Sequence, residues 1–582
     1  MTFLTMISAV IFGLDMGTFG IAHGLPSFLT HWCVGGGYQD GAADSCVGIK
    51  TGAPKNKLWI HHFVIPSILL NLAAAAFGSA MITPTMLPRF GHRITTQVSL
   101  VTIATGCFVH SFIAAAIDPV DGGLGLWFFG RFVLGLGVGL LFATMPQWNN
   151  ELVTKELRGQ TGAILQVTNI LGVLIGGLVT LAAQANKGSS GIAASTDLGW
   201  EVPTSLTGFF AVALLIPVQY IPDSPVWLLK AHLLLEGAGS GDTGKTDAFN
   251  KAISVLKTLR VWRGREVEVS QYRYQLQQLH QRSDEATDST ANPAYEKETT
   301  NAVSTLDDEI WRCIFRDGDG GDTAVLEIEA IMRVCEIRNA QAPQWREFFS
   351  NEPRSLLRRT LVSIYVGGIG QNVAGMIALN NLASQIFADV GIDKPFQHTA
   401  IFDCLQLAGS IAGAICLDGF KWGGRRRNLL LGSAFLCVCM IVVGSGQMRV
   451  EQLNDAGRPI PTSLENLNFA FLLVYAFAFH ATWATAWVYP AEISYAAERS
   501  RIASFAMGAH FGGATLFVGV IALLFAWSQA GTFFIFAAGN MVSFLVVYLF
   551  VVETKEKHIS EIVGQFQKSS THERYVQMSD RR

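Results

Sequence analysis

Charged residues are scarce in this sequence. Asp, Glu, Lys and Arg make up 15% of its 582 residues, against roughly 25% in soluble domains. The formal net charge is −3, and without a strongly basic surface we predict no nucleic-acid partner. The nine cysteines form no CxxC pair, which leaves no zinc or redox motif, so we predict no metal and no cofactor.

The sequence also lacks the basic region that opens a cleavable signal peptide, so we expect its first apolar stretch to be retained as a membrane span. Cys33 and Cys46 follow that stretch in the same predicted outward loop. They could form a disulfide in an oxidising compartment or remain free thiols, and the sequence leaves both possibilities open.

Apolar and small residues are abundant instead. The mean hydropathy is +0.34, and the 58 glycines suit helices that pack closely in lipid. A spanning helix needs about 20 apolar residues, and twelve stretches qualify, so we predict an all-α membrane protein with twelve transmembrane helices in two six-helix halves. These stretches are 3–24, 59–83, 94–117, 124–146, 160–184, 204–222, 360–386, 398–417, 428–446, 467–490, 502–526 and 529–552.

Lys and Arg concentrate in the loops after even-numbered spans, which places those loops and both termini in the cytoplasm. We predict an N-terminal half at 1–222, a cytoplasmic loop at 223–358 that is partly helical and partly disordered, a C-terminal half at 359–552 and a cytoplasmic tail at 553–582. Residues 239–246 of the loop match the P-loop pattern. No further βαβ units follow, so we predict no nucleotide site there.

An internal repeat indicates that the halves are related. Gly91-His92-Arg93 corresponds to Gly424-Arg425-Arg426, and each is followed by a proline, a glutamate and an arginine. Opposite charges at the inner helix ends could pair and lock that side of the protein, although the positive-inside rule alone would also explain the arginines. The predicted gating residues are Arg93, Glu151, Arg158, Arg425, Glu492 and Arg499.

Several ordered motifs resemble the sugar porter branch of the major facilitator superfamily. They are Gly130-Arg131 in the fourth span, the segment 146–159, the segment 222–228, Tyr489-Pro490-Ala491-Glu492, and Glu553-Thr554-Lys555. The resemblance covers both membrane halves and implies the major facilitator fold. It also implies movement of a sugar-like solute by alternating access.

The resemblance further implies a solute site between the halves. Amide side chains both donate and accept hydrogen bonds, and aromatic rings stack on sugar faces. Each amide could instead serve helix–helix contacts, and the histidine could be a satisfied bundle residue. The implied positions carry Gln166, Gln371, Asn372, Asn380, Gln406, Trp487 and His510.

Some of these positions depart from the family pattern. Ile377 stands where the family has an asparagine, Thr207 replaces a glutamine, and His510 begins a pair that is usually Asn-Trp. A pocket with these residues could suit a less hydroxylated ring, a carboxylate such as quinate, or an inositol rather than glucose.

Asp15 is a carboxylate inside the first span, where an unpaired charge is costly. The resemblance implies Arg131 as its partner and proton symport as its role, since proton-coupled members carry aspartate at this position. A purely structural ion pair is the alternative.

We therefore expect a secondary transporter and not an enzyme, which binds a small polar solute and protons within a lipid bilayer. The alternatives are a transporter of another polar metabolite and a nutrient sensor that binds solute without moving it. We expect a monomer in the plasma membrane.

Overall fold

The computed structural model describes residues 8–23, 28, 31–32, 63–117, 122–152, 158–185, 198–228, 251, 255, 345–350, 354–389, 395–419, 423–494, 496–555, 557 and 559–567. The chain forms two compact units, one from Met1–Ile221 with Trp345–Arg582 and the other from Pro222–Gln344. In the second unit, residues 225–228 form a helical turn, which begins where the backbone N–H of Trp227 donates to Ser224 Oγ at 3.3 Å.

The first half of the larger unit begins with α1 (Val10–Ala22). Next comes α2 (Ile65–Phe77), which continues through a π-helical turn into α3 (Thr83–Phe108). The run Ile65–Ile113 has 49 residues and would measure roughly 74 Å if straight, over twice a ~30 Å hydrocarbon core. It is therefore two crossings, separated by a kink at Gly91, whose φ is 79°.

The remaining helices of this half are α4 (Leu124–Leu152), α5 (Arg158–Ala185) and α6 (Leu198–Val218). The fourth helix extends beyond the predicted span of 124–146, because its last turns carry polar residues such as Asn149, Asn150 and Glu151. Both asparagines are buried, and a count of apolar residues does not include polar residues that pack inside the protein.

The second half begins with a broken crossing made of α7 (Arg354–Ile364), a π-helical turn, α8 (Gly370–Val373) and α9 (Met376–Asp389). It continues with α10 (Pro395–Gly419), α11 (Arg425–Asp455) and α12 (Thr462–Trp483). A 3₁₀ turn (Ala484–Trp487) leads to the short α13 (Tyr489–Glu492). The last helices are α14 (Ala496–Trp527), α15 (Gln529–Phe550) and α16 (Ile559–Gln567).

The described helices fall into two groups, α1–α6 and α7–α16, in the order of the two predicted halves. Among the described residues, eight helices are long and apolar enough to span a membrane, and α1 is a shorter apolar helix. The predicted loop at 223–358 falls almost wholly outside the described residues, as do its P-loop-like segment and the cysteines at 33 and 46.

Glycines join α1 and α5 backbone to backbone. A Cβ atom on Gly13 would overlap the carbonyl of Asn169, one on Gly17 would overlap the carbonyl of Val173, and one on Gly172 would overlap the carbonyl of Val10. Membrane helices associate through such close contacts because lipid provides no hydrophobic drive between them. The pair α1–α5 is accordingly a close packing seam of the first half.

The two halves contact each other near both ends of the bundle. α5 packs on α10, α2 packs on α14, and α1 packs on α9. At the predicted cytoplasmic end, Gln147 Nε2 donates to the Ser500 carbonyl at 3.4 Å. Toward the opposite end, a Cβ on Gly177 would lie 3.3 Å from Asp403 Oδ2. Opening toward either side therefore requires one of these sets of contacts to separate.

An aromatic cluster closes the end of the first half opposite the arginine-rich loops. The rings of Trp32 and Trp127 are 5.0 Å apart, and those of Phe28 and Trp200 are 5.2 Å apart. All four side chains are buried, and Trp127 Nε1 donates to Ser67 Oγ at 2.9 Å. The cluster ties part of the first predicted outward loop to three helices of this half.

Candidate functional site

A buried carboxylate in α1 has partners on two neighbouring helices. Asp15 is only 5% exposed, and its Oδ1 accepts from Arg131 Nη1 at 2.5 Å. Its Oδ2 accepts from Asn71 Nδ2 at 2.7 Å, and the Arg131 guanidinium lies 4.4 Å from the centre of the Phe19 ring. Both oxygens of the carboxylate are thus engaged, as a buried charge requires.

A small cavity of about 10 Å³ adjoins this ion pair, close to the space that one water molecule needs. Most of its wall comes from the first half, and Asn381 contributes from α9 of the second half. The cavity is lined by Phe12, Asp15, Met16, Phe19, Ile68, Asn71, Leu72, Arg131 and Asn381.

A side-chain hydrogen bond joins the two halves deeper in the bundle. Gln166 on α5 and His480 on α12 approach through Nε2 and Nδ1 at 2.9 Å, and both residues are buried. Gln166 Oε1 and His480 Nε2 have no hydrogen-bond partner among the described residues. The pair therefore holds one satisfied contact and two unused polar atoms.

The predicted amides of the seventh crossing lie around its break. Gln371 Nε2 donates to the Gly367 carbonyl at 3.3 Å, and Asn372 Nδ2 donates to the backbone carbonyl of His510 on α14 at 2.9 Å. Asn380 follows on α9. Gln371 is thus held within its own helix, while Asn372 links two helices.

Trp487 and His510 pack together at the centre of the bundle. Their rings are 4.9 Å apart, and Trp487 also lies 5.6 Å from Phe142 of the first half. Gln406 on α10 is fully buried, and its Nε2 donates to Asp403 Oδ1 at 3.1 Å. Aromatic rings from both halves thus meet at Trp487, while Gln406 is paired with Asp403 on its own helix.

Several of the predicted solute-site residues carry a buried polar atom that has no hydrogen-bond partner among the described residues. Buried polar atoms normally have a partner, because leaving one unsatisfied costs about 1–3 kcal/mol. Acceptors and imidazole nitrogens arranged in this way suit an uncharged polar molecule with several hydroxyls. Among the predicted solute-site residues and His480, the buried atoms without a partner in the described structure are Gln166 Oε1, Asn372 Oδ1, Asn380 Oδ1, Gln406 Oε1, His480 Nε2 and His510 Nδ1.

A charged network lies at the predicted inner end of the second half. Arg425 Nη2 donates to Glu492 Oε1 at 2.7 Å, and its Nε donates to both oxygens of that carboxylate at 3.1 Å. Thr554 Oγ1 donates to the other oxygen, Oε2, at 2.5 Å. Glu553 Oε1 accepts from the backbone N–H of Arg425 at 2.8 Å. The network thus joins α11, α13 and the segment after α15.

The corresponding residues of the first half are arranged differently. Glu151 Oε2 lies 3.7 Å from His92 Nε2, and the His92 ring stacks on Trp148. Arg93 is half-buried beside His92. The side chain of Arg158 lies outside the described residues.

A further ion pair connects the inner ends of α7 and α14. The guanidinium of Arg359 donates to both oxygens of Glu498, and Arg359 Nη1 also donates to the Ile493 carbonyl at 3.3 Å. Arg499 Nη2 lies 3.5 Å from the Ser494 carbonyl. The inner end of the second half is therefore held by two arginine–glutamate pairs.

The sequence matches the family model described as Sugar (and other) transporter over residues 1–259 and 309–566. This chain belongs to that family. Relatives of this sugar transporter family member include hexose transporter HXT10 of Saccharomyces cerevisiae, at 23% identity over 76% of this chain and 66% of the relative. The high glucose sensor RGT2 of the same yeast is also 23% identical, over 92% of this chain and 59% of its own length. The chain thus spans less than two thirds of either protein.

Solved structures show the same fold. The major facilitator superfamily proton:xylose symporter XylE, bound to 6-bromo-6-deoxy-D-glucose, matches with a TM-score of 0.68 at 16% identity, over 97% of this chain and 98% of that chain. The inward open conformation of XylE matches with a TM-score of 0.61, also at 16% identity and over 97% and 98% of the two chains. The protein therefore has the major facilitator fold and is an integral membrane protein.

Sequence reasoning missed several residues of the site. His480 interrupts an apolar stretch of the tenth span, and Asn71 interrupts the second. Polar residues inside a span are costly and usually have a function, so both could have been selected as candidates. Arg359 and Glu498 sit at helix ends, where isolated charges are ordinary, and the sequence gives no reason to pair them.

The departures from the sugar porter pattern are buried. Ile377 is a core residue of α9, and Thr207 on α6 is buried with no partner for its Oγ1 among the described residues. Ile377 and Thr207 are thus interior positions at which this chain differs from the family pattern.

Proposed function

We propose that this protein is a secondary active transporter that moves a sugar or sugar-like polyol by alternating access, coupled to proton symport. The observation that best supports this is the juxtaposition of two centres in one bundle. One is a buried carboxylate–arginine pair, Asp15 and Arg131. The other is a set of unsatisfied polar atoms between the halves.

The solute occupies the polar centre between α5, α8, α9, α10, α12 and α14. Gln166, Gln371, Asn372, Asn380 and Gln406 provide hydrogen bonds, Trp487 provides a stacking face, and His510 provides a ring nitrogen. An uncharged solute with several hydroxyls satisfies both the donors and the acceptors of such a site. The curated hexose transporters among the relatives favour a sugar within this class, while Ile377 and Thr207 leave inositol or quinate as competitors.

Asp15 couples transport to protons. While it is ionised, Asp15 binds Arg131 and holds α1 against α4. When a proton neutralises the carboxylate, this attraction is lost, and Arg131 and α1 are free to rearrange. Because α1 also contacts α9 of the second half, a change at Asp15 reaches the contact between the halves.

The arginine–glutamate pairs at the inner end act as a gate. Arg425 with Glu492, together with Arg93, Glu151, Arg158 and Arg499, stabilises the state closed to the cytoplasm. Inward opening separates these contacts and exposes the solute. The protein acts as a monomer in the plasma membrane with both termini in the cytoplasm, and residues 223–358 form the cytoplasmic loop between its halves.

Reconstituted vesicles test the proposal. Purified protein is placed in liposomes with a more acidic exterior, and uptake of labelled D-glucose, D-xylose, myo-inositol and quinate is measured. We expect one of these solutes to accumulate above its external concentration, and a protonophore to abolish the accumulation. Accumulation that ignores the proton gradient would contradict symport. Binding without any uptake would favour a sensor. This alternative is worth testing because a glucose sensor matches 92% of this chain.

A further inference from the structure

The second oxygen of the Asp15 carboxylate has a partner of its own on α2. Asp15 Oδ1 accepts from the Arg131 guanidinium on α4, whereas Oδ2 accepts from Asn71 Nδ2 at 2.7 Å. Asp15 and Asn71 are each 5% exposed, so bulk water does not replace this hydrogen bond. When the carboxylate is ionised, donors from two different helices therefore stabilise its charge.

Helix packing places the Asn71 amide beside Asp15. A Cβ atom on Gly135 of α4 would overlap the backbone carbonyl of Asn71 and would lie 2.7 Å from Asn71 Oδ1. Because Gly135 has no side chain, α2 approaches α4 closely and the amide lies against the glycine backbone. An asparagine inside an apolar span is costly and usually has a function. The hydrogen bond to Asp15 provides one.

The hydrogen bond from Asn71 is available only to the ionised form of Asp15. A proton that arrives from water binds Asp15 at Oδ2, because Oδ1 lies against the positive charge of Arg131. The small cavity that Asp15 and Asn71 both line has about the space of one water molecule. The O–H group formed on Oδ2 would then face the Asn71 N–H, and two donors cannot bond to each other.

Few other charged or titratable groups lie near Asp15. Among the described residues that line the cavity, Arg131 is the only other charged one. Cys107 on α3 and His110 in the π-helical turn Val109–Ile113 are close enough to interact electrostatically with Asp15 or Arg131. The helices packed on α1 carry charged residues near their ends, and these are Arg158 on α5, Glu201 on α6 and Asp389 on α9.

We infer that Asn71 is a positioning residue for proton coupling, which favours the ionised form of Asp15 and so sets the pH range in which the protein takes up its proton. The inference rests on the proposed function, in which Asp15 carries the coupled proton, and adds to it a residue on α2. A hydrogen bond to the charged form of a carboxylate favours that form. Without Asn71, Asp15 therefore keeps its proton to a higher pH.

The test follows the protonation of Asp15 directly, in full-length protein in lipid nanodiscs. The infrared carbonyl band of protonated carboxyl groups is recorded as the pH is varied, and the Asp15 component is assigned by its loss in Asp15→Asn. For Asn71→Leu, we expect the pH of half-protonation to rise by about one unit, the shift that corresponds to a hydrogen bond of about 1.4 kcal/mol to the charged form. Asn71→Ala removes the amide without adding bulk, and we expect the same rise.

Two further variants separate positioning from helix packing. Asn71→Gln keeps an amide donor, so we expect its midpoint to lie closer to that of the wild type. Asn468→Leu makes the same chemical change at another buried asparagine, on α12, whose side-chain oxygen and nitrogen have no partner among the described residues. It should leave the midpoint unchanged.

Uptake by proteoliposomes should show the same shift. The initial rate is measured against external pH for whichever of D-glucose, D-xylose, myo-inositol and quinate accumulates in the wild type. We expect the pH of half-maximal uptake to rise by about one unit in Asn71→Leu, matching the infrared midpoint.

The outcomes distinguish failure of the inference from failure of the proposed function. An unchanged infrared midpoint in Asn71→Leu and Asn71→Ala, or a shift to lower pH, overturns the inference, since Asn71 would then only pack α2 on α4. An equal shift in Asn468→Leu also overturns it. The titration requires no solute, so if the midpoint rises as expected while the wild type accumulates none of the four solutes, the role of Asn71 stands and the proposed function fails.

Discussion

Two buried carboxylates in the membrane domain have very different partners. Asp15 accepts from a guanidinium and an amide. Asp403 accepts from the Gln406 amide at 3.1 Å and has no ion-pair partner among the described residues. A carboxylate held by a cation can switch that contact off when it takes up a proton, whereas one held by an amide has no comparable contact to lose. At the residue scale this difference favours Asp15 as the coupling group.

Substitution of Asp15 by asparagine should uncouple transport from protons. A pH difference of one unit is worth about 1.4 kcal/mol per proton, so we expect about tenfold solute accumulation by the wild type and none by Asp15→Asn. Exchange of labelled for unlabelled solute should survive, because it needs no net proton movement. Asp455→Asn, which changes an exposed carboxylate, serves as the control. Proton-driven accumulation by Asp15→Asn would refute the coupling role.

The pair Arg359–Glu498 gives a prediction about stability. Removal of one member of a buried ion pair leaves the other charge unpaired and typically costs about 3–5 kcal/mol. We expect Arg359→Met to lower the thermal unfolding temperature clearly, and the double variant Arg359→Met with Glu498→Gln to regain much of the loss. Lys557→Met removes one member of a solvent-exposed pair whose charged atoms are 3.9 Å apart, and should change stability by less than about 1 kcal/mol. Equal effects of the two single variants would contradict the argument.

At this scale the sequence identifies residues whose chemistry is conspicuous in a membrane. Asp15 and Arg131 stand out because charges inside spans are rare, and the structure brings them into contact. His480 was not predicted as a site residue because no motif contains it. Its position as a polar residue in an apolar span could have identified it as a candidate. The pairing of Arg359 with Glu498 depends on where α7 and α14 end relative to each other, which no local pattern encodes.

The seventh crossing illustrates what helix packing adds at the scale of elements. The sequence predicts one span over 360–386, but the structure divides it at Gly375, whose φ is 95°. The freed carbonyl of Ala374 accepts from the Tyr475 hydroxyl at 2.5 Å and faces Asn540 Nδ2 at 3.4 Å. A break in a membrane helix needs such replacement partners. They come from distant parts of the chain, so the break could not be predicted locally.

The glycine seam between α1 and α5 should not tolerate a larger side chain. A Cβ on Gly17 would overlap the carbonyl of Val173, so Gly17→Val must push the two helices apart. We expect a lower unfolding temperature and at least about tenfold slower uptake, since a barrier rise of about 1.4 kcal/mol gives that factor. Gly125→Val, at a position with no atoms within 4 Å of an added Cβ, should be almost silent. A Gly17→Val variant with normal uptake would show that the seam can widen freely.

At the scale of the whole molecule, the two halves are held together by contacts near both ends of the bundle. The halves meet at Gln147 and Ser500 on one side and at Gly177 and Asp403 on the other. The overall arrangement of twelve crossings could be predicted from hydropathy and the internal repeat. The contacts that hold the halves together could not be predicted, because they depend on residues whose neighbours are known only from the folded structure.

Loss of the Arg425–Glu492 pair should shift the whole molecule toward the inward-open state. We expect Arg425→Gln to speed hydrogen–deuterium exchange of residues 489–501 and of the end of α4 several-fold, because the inner ends separate more often. Arg458→Gln, at an exposed arginine after α11, should leave this exchange unchanged. An Arg425→Gln variant with wild-type exchange at the inner ends would argue that the pair only sets topology.

The glycine seam also has a mechanical meaning. Asp15 lies on α1 and Gln166 lies on α5, and these two helices touch backbone to backbone with no flexible side chain between them. The residue proposed to take up the proton and a residue proposed to hold the solute therefore lie on two helices that we expect to move together. We therefore expect a displacement of α1 on protonation of Asp15 to move Gln166 as well. Protonation and solute binding would then be coupled directly through the packing of α1 on α5.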